Sequence, residues 1–129
     1  MSLSRDLTIR SFSASDVPPH LRIDWTPWGA PTALTYVYPP GETDDARPLL
    51  LIAETSSHGG MVPCQELLDR IPAAHVQYAL RWNGAGLNGS IWFEEDCAWA
   101  AIALAAPELF DDDTLYLAKV IAERHIDHA

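Results

Sequence analysis

Between Asp96 and Glu108 the chain carries no charge, and every residue of Cys97–Ala106 is apolar before Pro107 closes the stretch. A helix that is apolar all round has to be enclosed. Whatever fold forms must therefore wrap other elements around this segment, with Trp99 near its centre. Three carboxylates, Glu94, Glu95 and Asp96, lead into it. The pattern predicts a helix over about 94–106, ended at Pro107, with its acids at the positive end of the helix dipole. Each such charge is worth about 0.3–1 kcal/mol, which explains the acids without a ligand. Asp111, Asp112 and Asp113 repeat the device. One of them is expected to cap a last helix over about 114–126, with Ala118, Ile121, Ala122 and His125 along one face.

Upstream the pattern changes to that of strands. Residues 22–28 alternate polar and apolar, Gly29-Ala30-Pro31 turns the chain, and residues 32–38 are rich in β-branched and aromatic side chains, so a hairpin is expected. Leu49 to Thr55 is a near-continuous apolar run, the mark of a strand covered on both faces. Pro63 sits at a plausible first helical position for a helix over 63–71, stopped by Pro72. Residues 73–82 suit a helix or a strand. The fold class expected is α+β: a small antiparallel sheet from about residues 22–55, packed against two to four helices. Residues 1–20 read as a loose arm or short edge strand, and 21–129 as a single domain.

The length of 129 residues and an apolar content of 48% support one core. Eighteen acids against eight bases give a formal charge of -10, which repels nucleic-acid backbones and anionic membranes and favours a basic protein partner. Cys64 and Cys97 lie in apolar stretches and read as reduced core residues. The longest apolar run is roughly half the ~20 residues of a membrane span, and the first residues lack a signal-peptide core, so a cytoplasmic protein is expected. Trp25, Trp28, Trp92 and Trp99 read as core, because base-stacking tryptophans come with a basic groove.

Chemistry has two places to reside. In Ser56-Ser57-His58-Gly59-Gly60, taken as a strand-to-helix loop, two consecutive glycines imply positive φ or a close backbone approach. The segment lacks the lysine of a phosphate loop, and Gly84-Ala85-Gly86-Leu87-Asn88-Gly89 spells a dinucleotide motif with no strand of the required kind before it. His58 could serve as a base with Ser57 or Cys64 as nucleophile and Glu54 as orienter, or could simply fix a tight turn. A metal would need His58, Glu54 and one of Glu94, Glu95 or Asp96; the spacing does not require it, and His125 with His128 makes a poor zinc pair, so no metal and no cofactor are expected.

Thr26-Pro27-Trp28-Gly29, Thr55-Ser56-Ser57-His58-Gly59-Gly60 and Trp92-Phe93-Glu94-Glu95-Asp96-Cys97-Ala98-Trp99-Ala100 occur in an order that resembles a domain of unknown function found in proteobacteria, their plasmids and their phages. The resemblance covers roughly residues 22–110. It implies that His58, Gly59, Gly60, Glu94, Glu95, Asp96 and Trp99 are recurring features, and that the Ser-His-Gly-Gly loop packs against the start of the Glu94 helix. Met61-Val62-Pro63 departs from the aromatic and serine cap expected after Gly60.

Together these features favour a small acidic, non-catalytic interaction module of mobile-element origin that binds a basic, nucleic-acid-binding protein, in its sharpest form an inhibitor of a host defence complex by nucleic-acid mimicry. Its expected binding residues are Ser57, His58, Gly59, Gly60, Glu94, Glu95, Asp96, Asp111, Asp112 and Asp113. The alternatives are a hydrolase or transferase using His58 with Glu94, Glu95 and Asp96, and a purely structural accessory domain. The oligomeric state is left open.

Overall fold

A computed structural model describes residues 2–42, 47–83 and 90–127. The Gly84–Gly89 motif, the Asp44-Asp45 acid pair and His128 lie outside the described residues. Five strands, β1 (Thr8–Ser13), β2 (Ala33–Tyr38), β3 (Leu50–Glu54), β4 (Gly59–Pro63) and β5 (Phe93–Glu94), form one antiparallel sheet in sequence order. Helices α1 (Gln65–Arg70), α2 (Ala73–Asn83), α3 (Trp99–Ala105) and α4 (Asp112–Ile121) complete the α+β fold, and α4 runs on into a π-helical turn, Ala122–Ile126.

Strand side chains alternate between two cores, as the twofold period of a strand demands. Val37, Leu50, Met61 and Phe93 join the larger core under the helices, where Trp99, Ile102 and the alanines of α3 are enclosed. Leu34, Tyr36, Tyr38, Ala53 and Trp92 point the other way. That second face is covered by the irregular segment after β1, through Val17, Leu21, Ile23 and Trp28. β3 is therefore central and doubly covered, as its apolar run predicts. Within α3, full burial of Ile102 contributes roughly 1.5–3 kcal/mol, and the alanines, which bury little area each, let the helix sit close against the sheet.

Several expectations change. The hairpin of residues 22–28 with 32–38 does not form; β2 pairs instead with β1 and β3, and residues 22–28 cap the second core. Of the two readings of the N-terminal residues the edge strand holds, as β1, and the loose arm does not: Ser4 N donates to Leu109 O at 2.8 Å, Asp111 N donates to Ser2 O at 3.0 Å and Ser2 N donates to Thr114 Oγ1 at 2.8 Å. Pro63 ends β4 rather than opening α1, whose N-cap is Cys64. Trp25 is not core but 55% exposed.

Candidate functional site

Three tight contacts bring the singled-out motifs together at the β3–β4 end of the sheet. The first motif is a four-residue turn. Thr26 and Gly29 exchange backbone hydrogen bonds of 2.9 and 3.1 Å, with Pro27 at the second position and Gly29 at φ 116°; proline presets the turn and only glycine holds that φ without strain. The fully buried Thr26 hydroxyl donates to Gly29 O at 2.8 Å and accepts from Trp28 N at 3.1 Å. This turn aims the Trp28 ring at the sheet, edge-on to Trp92 with centroids 5.7 Å apart.

The second motif is a hairpin turn between β3 and β4, not a strand-to-helix loop. Thr55 repeats the role of Thr26: its hydroxyl donates to His58 O at 2.5 Å and accepts from the backbone N–H of Ser57 and His58 at 3.2 and 3.1 Å. Such hydroxyl-capped turns hold a short loop without any ligand. The two turns also touch, Ser57 Oγ donating to Trp28 O at 3.4 Å.

Gly59 and Gly60 are glycine for closeness, not for φ. Positive φ among the described residues occurs at Gly29 and Gly41. A Cβ on Gly60 would stand 2.3 Å from Trp28 Cη2 and 2.8 Å from Phe93 O. On Gly59 it would stand 2.7 Å from Ala53 O and 2.9 Å from Glu95 Oε2. The close backbone approach is that of the protein itself.

The third motif crosses β4 at this point. Gly60 pairs with Glu94 and Met61 with Phe93, and Glu95 N donates to Gly59 O at 3.0 Å. Glu94 is not in a helical first turn, because α3 begins at Trp99. Its carboxylate instead folds over the intervening turn: Oε2 accepts from Asp96 N at 2.7 Å, and Oε1 from Cys97 N at 2.6 Å and Ala98 N at 2.8 Å. One side chain thus satisfies three backbone donors. Glu95 and Asp96 remain exposed.

Of Ser56-Ser57-His58-Gly59-Gly60, Gly59 and Gly60 meet the acid run, through backbone pairing and close packing, and they meet it on β5 and not at the start of a helix. The His58 imidazole is exposed and makes no hydrogen bond or ion pair to Glu94, Glu95 or Asp96 among the described residues. Nor do three His, Cys, Asp or Glu side chains gather in metal-binding geometry among them. Burial first, and the nearby Glu94 charge second, push the Cys97 thiol above its usual range, while a Tyr78 hydrogen bond pulls the other way. A thiol so placed stays protonated and unreactive at neutral pH.

The second acid run lies elsewhere, at the start of α4. Asp111 Oδ1 accepts from Thr114 N at 2.8 Å, an ordinary N-cap, and Asp112 and Asp113 sit exposed in the first turn. Beside the Trp28–Trp92 pair, sequence reading missed a groove of about 310 Å³ between Ile23, Trp25, Leu51, Val62 and Trp92, with Arg22 and Asp24 paired at its rim at 2.9 Å. The failed strand assignment of residues 22–28 hid it, because alternation there reflects burial against a sheet face and not membership of one.

No helix among the described residues is long and apolar enough to cross a membrane. No curated protein and no solved structure matches the chain. Residues 22–129 do match a family described as Domain of unknown function (DUF7007), a span that holds all three converging motifs, and the chain belongs to that family.

Proposed function

We propose that the chain is a small acidic, non-catalytic interaction module of mobile-element origin, which binds a basic, nucleic-acid-binding protein and can thereby inhibit a host defence complex by imitating a phosphate backbone. The observation that carries this reading is the division of labour within each acid run. Glu94 and Asp111 are engaged with backbone N–H groups, whereas Glu95, Asp96, Asp112 and Asp113 are exposed. On a chain of net charge -10 these exposed carboxylates add to a negative field that draws a cationic surface and repels nucleic acid. Exposed Trp25 supplies the kind of amphipathic side chain that anchors protein interfaces.

The test is capture from a lysate rich in basic proteins at increasing salt, with duplex DNA as competitor. The expected result is release by about 0.5 M salt and by DNA, and loss of capture when Glu95, Asp96, Asp112 and Asp113 are converted to their amides. Capture that ignores salt, DNA and the four substitutions sinks the reading. His58→Ala is expected to leave folding nearly unchanged, because the imidazole is exposed.

A further inference from the structure

On the helix side, away from the motif cluster, a groove of about 410 Å³ opens between the N-terminal arm, the β2–β3 connection, α1 and the turn Pro107–Leu109 after α3. Its volume lies in the range of sites that take a ligand or an anchoring side chain. The floor is apolar: Leu7, Pro39, Pro40, Leu49, Leu67 and Leu109. The rim is charged, and unequally so. Glu108 holds the Arg70 guanidinium at 2.7 Å, and Arg70 reaches Glu66 at 3.7 Å. Asp6 is exposed and has no ion pair among the described residues. Three carboxylates thus share the lining with one guanidinium, which the Glu108 contact already occupies.

We infer that this groove docks a partner segment in which an apolar side chain is flanked by arginine or lysine: the apolar group enters the leucine and proline floor, and the cations meet Asp6 and Glu66. The charge excess at the rim selects that occupant over an acidic or neutral segment. Apolar burial supplies affinity and the carboxylates supply selectivity. Ser4, Asp6 and Leu7 precede the stretch matched by the family, whereas the other lining residues, Glu66 and the rest of the floor included, fall within it. The inference rests on the basic partner proposed above and locates where it is held.

The experiment is a titration of the full ¹⁵N-labelled chain with an acetylated, amidated Arg-Leu-Arg-Leu-Arg peptide, followed by amide shifts. The expected perturbations gather at Asp6, Leu7, Leu49, Glu66, Leu67 and Leu109. Asp6→Asn with Glu66→Gln, both exposed and folding-neutral, is expected to weaken Kd about tenfold. An Arg-Ser-Arg-Ser-Arg peptide and a Glu-Leu-Glu-Leu-Glu peptide are each expected to bind at least about tenfold more weakly. Absence of binding, equal binding of the acidic peptide, or an unchanged Kd in the double variant overturns the inference. Shifts that map to Glu95, Asp96, Asp112 or Asp113 overturn it too while leaving the interaction module standing. Groove binding together with salt-insensitive capture would refute the module and keep the groove.

Discussion

Glu94-Glu95-Asp96 and Asp111-Asp112-Asp113 are two versions of one phrase, three acids ahead of an apolar stretch, and they fold differently. At Asp111 the chain enters an α-helix directly, and a single aspartate oxygen caps the third N–H. At Glu94 the chain is still a β-strand, paired to Gly60, and must cross a turn before α3 begins. The longer glutamate side chain spans that turn and takes three donors at once. Both runs are backbone-paired where they begin, Glu94 with Gly60 and Phe110 with Leu3, and the difference lies in how soon the helix follows: α4 opens at Asp112, whereas Glu95 to Ala98 separate Glu94 from α3. An acid run of this kind therefore specifies that backbone donors will be capped, and the distance to the helix decides how.

The largest test of that contrast is Glu94→Ala. Three donors beside a buried helix lose their acceptor, and the expected loss is roughly 2–4 kcal/mol in urea denaturation; Glu94→Gln, which keeps one carbonyl oxygen, should recover part of it. A loss no greater than that of an exposed residue would mean water caps the turn equally well. Gly60→Ala comes next, at about 1–3 kcal/mol, since the added methyl meets both the Trp28 ring and the Phe93 carbonyl. Adding Trp28→Leu should relieve part of that strain in a double-mutant cycle, and strict additivity would contradict the contact.

Asp111→Asn should cost less than Glu94→Ala, a few degrees in Tm, because asparagine also caps well. The pH dependence sharpens this. The Thr114 hydroxyl and backbone N–H hold the Asp111 carboxyl below its ordinary range, and the Arg70 hydrogen bond does the same to Glu108. A carboxyl whose pKa is lower in the folded state binds its proton more readily when unfolded, so its stabilisation is full above about pH 4 and fades as pH falls below it. Tm measured from pH 6 to pH 2 should fall less steeply in Asp111→Asn and Glu108→Gln than in the parent. The smallest effect is expected from Glu95→Gln with Asp96→Asn, within about 0.5 kcal/mol; a larger loss would move these residues from the binding surface into the scaffold.

How much of this was legible in the sequence follows the range of the contacts. The enclosure of α3, the central place of β3 and the cap before α4 are written in neighbouring residues, and composition and period expose them. β4 was hidden because Gly59-Gly60 reads locally as a turn; its glycines answer to a tryptophan in another loop and a carboxylate beyond the helices. β1 was legible only as one of two readings, because Arg10 takes an inward position between Thr8 and Phe12, so its two-residue period does not register as apolar alternation. The site was legible as a set of words and not as a geometry: the motifs do converge, but through backbone and ring contacts that no spacing rule encodes.

The edge strand β1 precedes the first residue of the family match. A fragment cut to the family's limits would keep β3 but lose β1, and so would leave the outer rim of β2 bare. Open rims of that sort recruit other chains. For anyone preparing this domain, the stretch matched by the family and the folded sheet have different first residues, and a fragment chosen by the former invites self-association that would be mistaken for a native assembly.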